Sequence, residues 1–301
     1  MIERYFQFLG EDQTKLLLEA NEKPLVPSLR VNTIKTDIIS LKTRLERKGL
    51  RLEPINWISY GYKVKKAPIN LGSTHEYLQG YYYLQSIATM TPALILDPKS
   101  NELVVDMCAA PGGKATHLAQ IMKNEGNLIL IERNKKRIPA LEVNLLRMGV
   151  INSIVVNDDA INLPKMDIKA DKILLDAPCT GEGLIRQDPS RKKSKRMKDI
   201  NKMSTIQKRL LESGLKSLKT GGELLYSTCS IGPEENEIVI NNVLNSLSDY
   251  KISEIPHSYG ENGFTEVYGK SLREDLIYSQ RIYPHLHDSI GFFLCLIKKF
   301  Q

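Results

Sequence analysis

The sequence predicts an α/β fold in which a parallel sheet, covered by helices on both faces, follows a smaller α+β unit. Three observations carry that reading. From Asn101 onward, continuous apolar runs alternate with stretches of helical periodicity, the pattern of strands buried on both faces. The first of these runs passes straight into a Gly-Gly turn and a helix start. Before Asn101 the pattern is irregular, with single strand and helix signals set between Pro and Gly.

Within residues 1–27 a short amphipathic stretch, DQTKLLLEA, ends where Pro24 and Pro27 appear. Ser28–Lys35 (SLRVNTIK) reads as a strand. Asp37 then caps a helix with Ile38, Leu41 and Leu45 on one face, stopped by Gly49. Strand-like residues run from Leu52 to Val64, and the tyrosine-rich segment Glu76–Leu96 reads as a helical connector. Residues 1–90 form the smaller unit in this reading and 91–301 the larger. The larger unit offers five strands: ELVVDMC, NLILIER, SIVVND, DKILLDAPC and GELLYSTCS. Helices THLAQIMK, IPALEVNLLRMG and a long one near Ile200–Leu218 lie between them; Pro139 is tolerable only if the second starts near Arg137. Segments around Arg281–Pro284 and Phe292–Lys298 read as an antiparallel edge hairpin. The whole describes a Rossmann-like sheet of a kind other than a dehydrogenase's.

Composition narrows the function classes. Hydrophobic residues make up 42% and charged residues 26%, the balance of a soluble globular protein. No apolar run is long enough for a bilayer, and MIERYFQFLG is charged where a signal peptide needs its apolar stretch. A cytoplasmic monomer with no membrane partner and reduced cysteines is the expectation. Cys108, Cys179, Cys229 and Cys295 form no CxxC pair, so no metal site is expected. A net charge of +7 suits a polyanion partner, and Arg191–Arg196 (RKKSKR) is a basic run suited to phosphates.

The turn after the first strand, AAPGGK, is neither GxGxxG nor a P-loop. Gly112 and Gly113 let backbone approach a ligand, and the helix start offers free N–H donors. Glu132, at the end of the second strand, suits the two hydroxyls of a ribose; Asp159, after the third, suits an adenine edge. Each group alone is an ordinary strand-end acid or tight turn. Three consecutive strand ends so equipped point to a nucleoside cofactor.

Two further strand ends carry thiols: Asp176-Ala177-Pro178-Cys179 and Ser227-Thr228-Cys229-Ser230. Neighbouring strands place both in one cleft. Carbon 5 of cytosine is a poor nucleophile until a thiolate adds at carbon 6. After alkylation the carbon 5 proton must leave to a base so that the thiol is eliminated. Asp176, beside the ring, suits N3 and the exocyclic amine. A lone strand-end cysteine is commonly a small core residue, as Cys295 in FFLCLIKK is expected to be; a pair at adjacent strand ends is less simply explained so.

These residues closely resemble the Nop2/Sun (RsmB-type) family of RNA cytosine-5 methyltransferases. The stretches are RVNT (Arg30–Thr33), YLQGYYYLQSIATM (Tyr77–Met90), DMCAAPGGKATHLA (Asp106–Ala119), LLDAPCTGEG (Leu174–Gly183) and YSTCSIGPEENE (Tyr226–Glu237). The resemblance implies a class I methyltransferase sheet, S-adenosyl-L-methionine as cofactor and RNA as partner. It implies Cys229 as nucleophile and Cys179 as the residue assisting release, with Lys114 near both ligands. It implies a cofactor site of Cys108, Ala109, Ala110, Pro111, Gly112, Gly113 and Lys114 with the acids Glu132, Asp159 and Asp176. Asp158 competes with Asp159 for the third position. Thr180 departs from the family's usual Ser. The N-terminal unit resembles an RNA-recognition-like domain without the aromatic stacking signature. A compact basic chain is similar to archaeal-type members acting on tRNA, with rRNA as runner-up. The rivals are a DNA-methyltransferase-like scheme, in which Cys179 attacks, a methyltransferase for protein side chains, and a non-catalytic RNA-binding factor that keeps the fold.

Overall fold

The computed structural model describes residues 2–193 and 196–300, so Ser194 and Lys195 of the basic run lie outside the described residues. Helices α1 (Ile2–Leu9) and α2 (Glu11–Asn21) lead into β1 (Ser28–Val31), α3 (Ile38–Arg47), β2 (Arg51–Ile55) and β3 (Ile58–Lys66). Then come α4 (His75–Leu78), β4 (Tyr82–Leu84) and α5 (Ile87–Leu96). The second part holds β5 (Leu103–Asp106), α6 (Gly113–Ile121), β6 (Asn127–Ile131), α7 (Ile138–Met148), β7 (Ser153–Val156) and β8 (Ala170–Asp176). It continues with α8 (Met197–Lys216), β9 (Leu218–Thr228), α9 (Glu237–Leu244) and β10 (Tyr250–Ser253). The short strands β11 (Glu261–Asn262), β12 (Glu266–Val267), β13 (Lys270–Ser271) and β14 (Gln280–Ile282) precede α10 (Pro284–His287) and β15 (Phe292–Lys299).

The first part builds a four-stranded antiparallel sheet, β2-β3-β1-β4. Asp37 caps α3 by accepting the Ser40 N–H at 2.8 Å, as the sequence indicates. The expected helical connector is interrupted. Gly80, at φ 75°, closes α4, and a Cβ there would sit 1.8 Å from the Arg147 carbonyl oxygen. The chain turns sharply, and Tyr82–Leu84 pair with Leu29–Val31 as an edge strand. Tyr82 is fully buried in the core of this unit, where tyrosine packs well on a pleated face. The strand expected over Ser28–Lys35 stops at Val31, because Asn32 turns the chain: its Oδ1 accepts the Ile34 N–H, while its amide donates to the Gly80 and Met148 carbonyls.

The large sheet runs β11-β14-β15-β9-β8-β5-β6-β7, with β10 also pairing β15. Strands β7, β6, β5, β8 and β9 are parallel. Chain order reverses between β5 and β8, where such sheets open a crevice at the strands' carboxyl ends. Alternation along the strands fills two cores. Val105, Ile173, Leu175 and Tyr226 meet Leu211, Leu215 and Val243 of α8 and α9; Val104, Leu128, Leu174 and Leu225 meet Leu96, Leu118 and Leu141 of α5, α6 and α7. The final segments are antiparallel as expected, but Phe292–Lys299 is interior: it pairs β9 on one side and β14 and β10 on the other. Its unbroken apolar run reflects burial on both faces, and Cys295 is fully buried there. Helix α7 begins at Ile138, so Pro139 occupies its first turn, where the missing N–H costs little.

The two parts share buried polar contacts. Arg30 of β1, fully buried, donates to Gln85, Gln120, Thr116 and the Gly113 carbonyl at the start of α6. The division expected after residue 90 falls within α5, which packs on α6. Among the described residues no helix is long and apolar enough to cross a membrane.

Candidate active site

Five strand ends meet in one cleft at the β5/β8 crossing. Its lining includes Cys108, Glu132, Asp159, Asp176, Cys179 and Cys229. Of the two candidates for the third acid, Asp159 lines this cleft. Its Oδ1 accepts the Ile161 N–H and its Oδ2 lies 3.6 Å from Arg133. Asp158 instead accepts from the Asp159 N–H and the Asn162 amide, closing a local turn.

The loop after β5 carries Cys108-Ala109-Ala110-Pro111-Gly112-Gly113-Lys114, with a cis peptide before Pro111 and Gly112 capping α6. The backbone is held in place: the Cys108 N–H donates to Asp106, the Ala109 N–H to the Ile131 carbonyl, and Arg137 to the Ala110 carbonyl. Burial pushes the Cys108 thiol well up, so its sulfur stays neutral. Burial also raises Asp106 to about 7 against the opposing Cys108 N–H. Glu132 is buried; its Oε1 accepts the Asn134 N–H at 2.7 Å and its Oε2 lies 3.3 Å from Arg137. Two carboxylates, a helix start and a small-residue loop make a cradle that fits a ribose and adenine.

At the far wall the side chains converge more tightly. Asp176 accepts from Lys114 Nζ at 2.7 Å on one oxygen and from Ser227 Oγ at 2.8 Å on the other. Burial works to lower the Lys114 ammonium's pKa, but the Asp176 carboxylate overrides it and the net shift is upward, so the cation is retained. The sulfurs of Cys179 and Cys229 lie 2.9 Å apart, both free thiols. The hydrogen bond to Cys229, then burial, hold the Cys179 thiol well above its ordinary range.

The loop bearing Cys179 is clamped by residues that the spacing arguments did not single out. Glu235, fully buried, accepts the Thr180 N–H at 2.9 Å and the Thr180 hydroxyl at 2.5 Å. Gln207 of α8 donates to both Glu235 and the Pro178 carbonyl. Threonine in place of the family's serine keeps the hydroxyl used here. The Gly183 N–H donates to the Cys229 carbonyl and its own carbonyl accepts from Gly291; a Cβ at Gly183 would lie 2.2 Å from the Gly291 oxygen. Arg4 of α1 pairs with Glu182 in the same loop and with Glu234. The acids of PEENE following Cys229 were the available signal, but their partners lie 28–230 residues away.

Residues 93–298 match the family model described as 16S rRNA methyltransferase RsmB/F, and residues 1–87 match the N-terminal domain of 16S rRNA methyltransferase RsmF. The 25S rRNA (cytosine-C(5))-methyltransferase nop2 of Schizosaccharomyces pombe is 38% identical over 99% of this chain and 50% of its own. The 28S rRNA (cytosine-C(5))-methyltransferase of Mus musculus is 40% identical over 94% of this chain and 36% of its own. The chain thus spans half or less of these two relatives. The tRNA (cytosine(49)-C(5))-methyltransferase of Pyrococcus abyssi is 35% identical over 99% of this chain and 95% of its own. A methyltransferase homolog from Pyrococcus horikoshii superposes with a TM-score of 0.90 at 40% identity, covering 99% of this chain and 94% of that one. NSun6 from Pyrococcus horikoshii, solved with SFG, gives 0.90 at 26% identity, covering 100% and 97%. On sequence and architecture alike, the chain belongs to the RsmB/F methyltransferase family.

Proposed function

We propose that this chain is an S-adenosyl-L-methionine-dependent RNA cytosine-5 methyltransferase, with tRNA as the favoured substrate. The observation that carries the reading is the pair of facing thiols beside Asp176 and Lys114 in a cleft fitted for a nucleoside. The Cys108–Lys114 loop, Glu132 and Asp159 would hold the cofactor, which when bound would supply an electrophilic methyl group. The site then needs to make carbon 5 nucleophilic. With its thiol proton lost to solvent, Cys229 sulfur adds to carbon 6, forming a carbon–sulfur bond and turning the ring into an enamine whose carbon 5 takes the methyl group. Asp176 accepts from the exocyclic amine while Lys114 and Ser227 keep its orientation. Cys179, held neutral, donates to the attacking sulfur before addition. Once sulfur 229 is bonded to carbon, its own charge no longer opposes ionisation of Cys179, although burial, Glu235 and Asp176 still do. Cys179, its thiol proton passed to solvent, takes the carbon 5 proton, and the electron pair left behind expels sulfur 229 as thiolate as product leaves.

Similarity over 99% of this chain to a tRNA (cytosine(49)-C(5))-methyltransferase supports tRNA; similarity to the rRNA enzymes keeps rRNA as the second reading. Residues 1–90 serve as the RNA-binding unit and 91–301 as the catalytic one, and the two thiols suit a reducing cytoplasm. Incubation with methyl-labelled cofactor and size-fractionated cellular RNA tests the activity. The expected result is labelled 5-methylcytidine in the tRNA fraction. Label confined to rRNA selects the second reading, and label in protein or none in RNA refutes the activity.

A further inference from the structure

A second, larger groove lies outside the candidate cofactor cleft. A groove of about 840 Å³ runs between the α2–β1 linker, residues 67–72 after β3, the β4–α5 turn and the loop after Gly183. The cofactor cleft opens past Cys108 and Asp176 into a second chamber holding Lys114 and Tyr83. Leu84, Gln85, Ser86 and Gln187 line both that chamber and the groove, so the groove adjoins the chamber beside Asp176. A groove in that position is suited to the nucleosides next to a base held at Asp176.

The groove is preformed and chemically mixed. Arg186 holds its floor: Nε donates to the Lys23 carbonyl at 3.0 Å, and Nη2 donates to the Pro24 carbonyl at 3.2 Å and pairs with Asp288 at 2.8 Å. Pro24, Leu25, Ile69 and Leu71 offer apolar walls, with the Gln187 amide among them. Lys23 and Lys192 bring positive charge to its lining. Lys192 reaches across to Glu22 at 2.5 Å, an exposed pair that contributes little and that an incoming phosphate can displace. Apolar walls, an amide and cations are what unstacked nucleosides joined by phosphates require.

We propose that this groove binds the unpaired nucleosides that adjoin the target cytosine on one side, so that the enzyme selects sites with single-stranded neighbours. The proposal rests on the methyltransferase reading for its target base, but its first test is independent of catalysis. A fluorescent cytidine hexanucleotide, titrated without cofactor and read by anisotropy, should bind Ile69→Trp at least tenfold more weakly than wild type. Gln187→Ala provides a second variant that adds no bulk. On the RNA methylated by wild type, both variants should lose kcat/KM through KM, with cofactor affinity and Tm kept. RNA trimmed on the side that the groove holds should be equally poor for wild type and variant, because the contact is already absent. Equal hexanucleotide affinity, or the same loss on RNAs trimmed at either end, overturns the groove even if methylation is intact. A wild type that binds through the groove yet methylates no RNA contradicts the functional reading instead.

Discussion

Glu235 shows how much of this site depends on a residue that touches neither ligand. Its two oxygens take three donors, two from Thr180 and one from Gln207, and so fix the residue next to Cys179. Replacing it with Gln turns one acceptor into a donor, so one of the three donors loses its acceptor. That leaves buried groups unpaired at a cost of about 1–3 kcal/mol. Because Glu235 lies outside the cofactor cleft lining, Glu235→Gln should leave cofactor affinity unchanged while single-turnover kcat falls more than tenfold. A stability loss with unchanged kcat would show that the clamp is structural only. The proposed reactive residues could be singled out in the sequence, because each follows an apolar run directly and chemistry restricts what can stand there. Their supports could not, since a buried carboxylate's partners are fixed by tertiary packing across three elements.

At the level of elements, the parallel strands were readable because burial on both faces leaves no polar alternation to confuse them. The tyrosine-rich connector was not: Tyr82 and Tyr83 fit helix or strand, and Gly80 decides for strand only through its close approach to Arg147. The final strand was read as an edge although its run of apolar residues marks an interior position. The proposed cofactor cradle is a strand–turn–helix unit completed by the ends of β6 and β7, and cofactor binding tests it. S-adenosyl-L-methionine should raise Tm by mass action, about 2.7 kcal/mol of stabilisation at a hundredfold excess over Kd. Glu132→Ala should reduce that shift, while removing the Arg137 partner alone should reduce it less. No shift at millimolar cofactor would count against the cradle.

For the whole molecule, the fold brings β8 and β9 side by side so that two cysteines 50 residues apart face each other at 2.9 Å. The N-terminal unit is joined to α6 through Arg30 and to α7 through Asn32, so the two parts share one frame. In the proposed mechanism the thiols act in sequence, Cys229 attacking and Cys179 releasing. Denaturing gels of Cys229→Ala and Cys179→Ala, each incubated with labelled RNA and cofactor, test it directly. Cys229→Ala should give neither product nor adduct. Cys179→Ala should methylate the base but keep the carbon–sulfur bond, and so trap an RNA–protein adduct that survives denaturation. An adduct in Cys229→Ala but not in Cys179→Ala would contradict this assignment and make Cys179 the nucleophile.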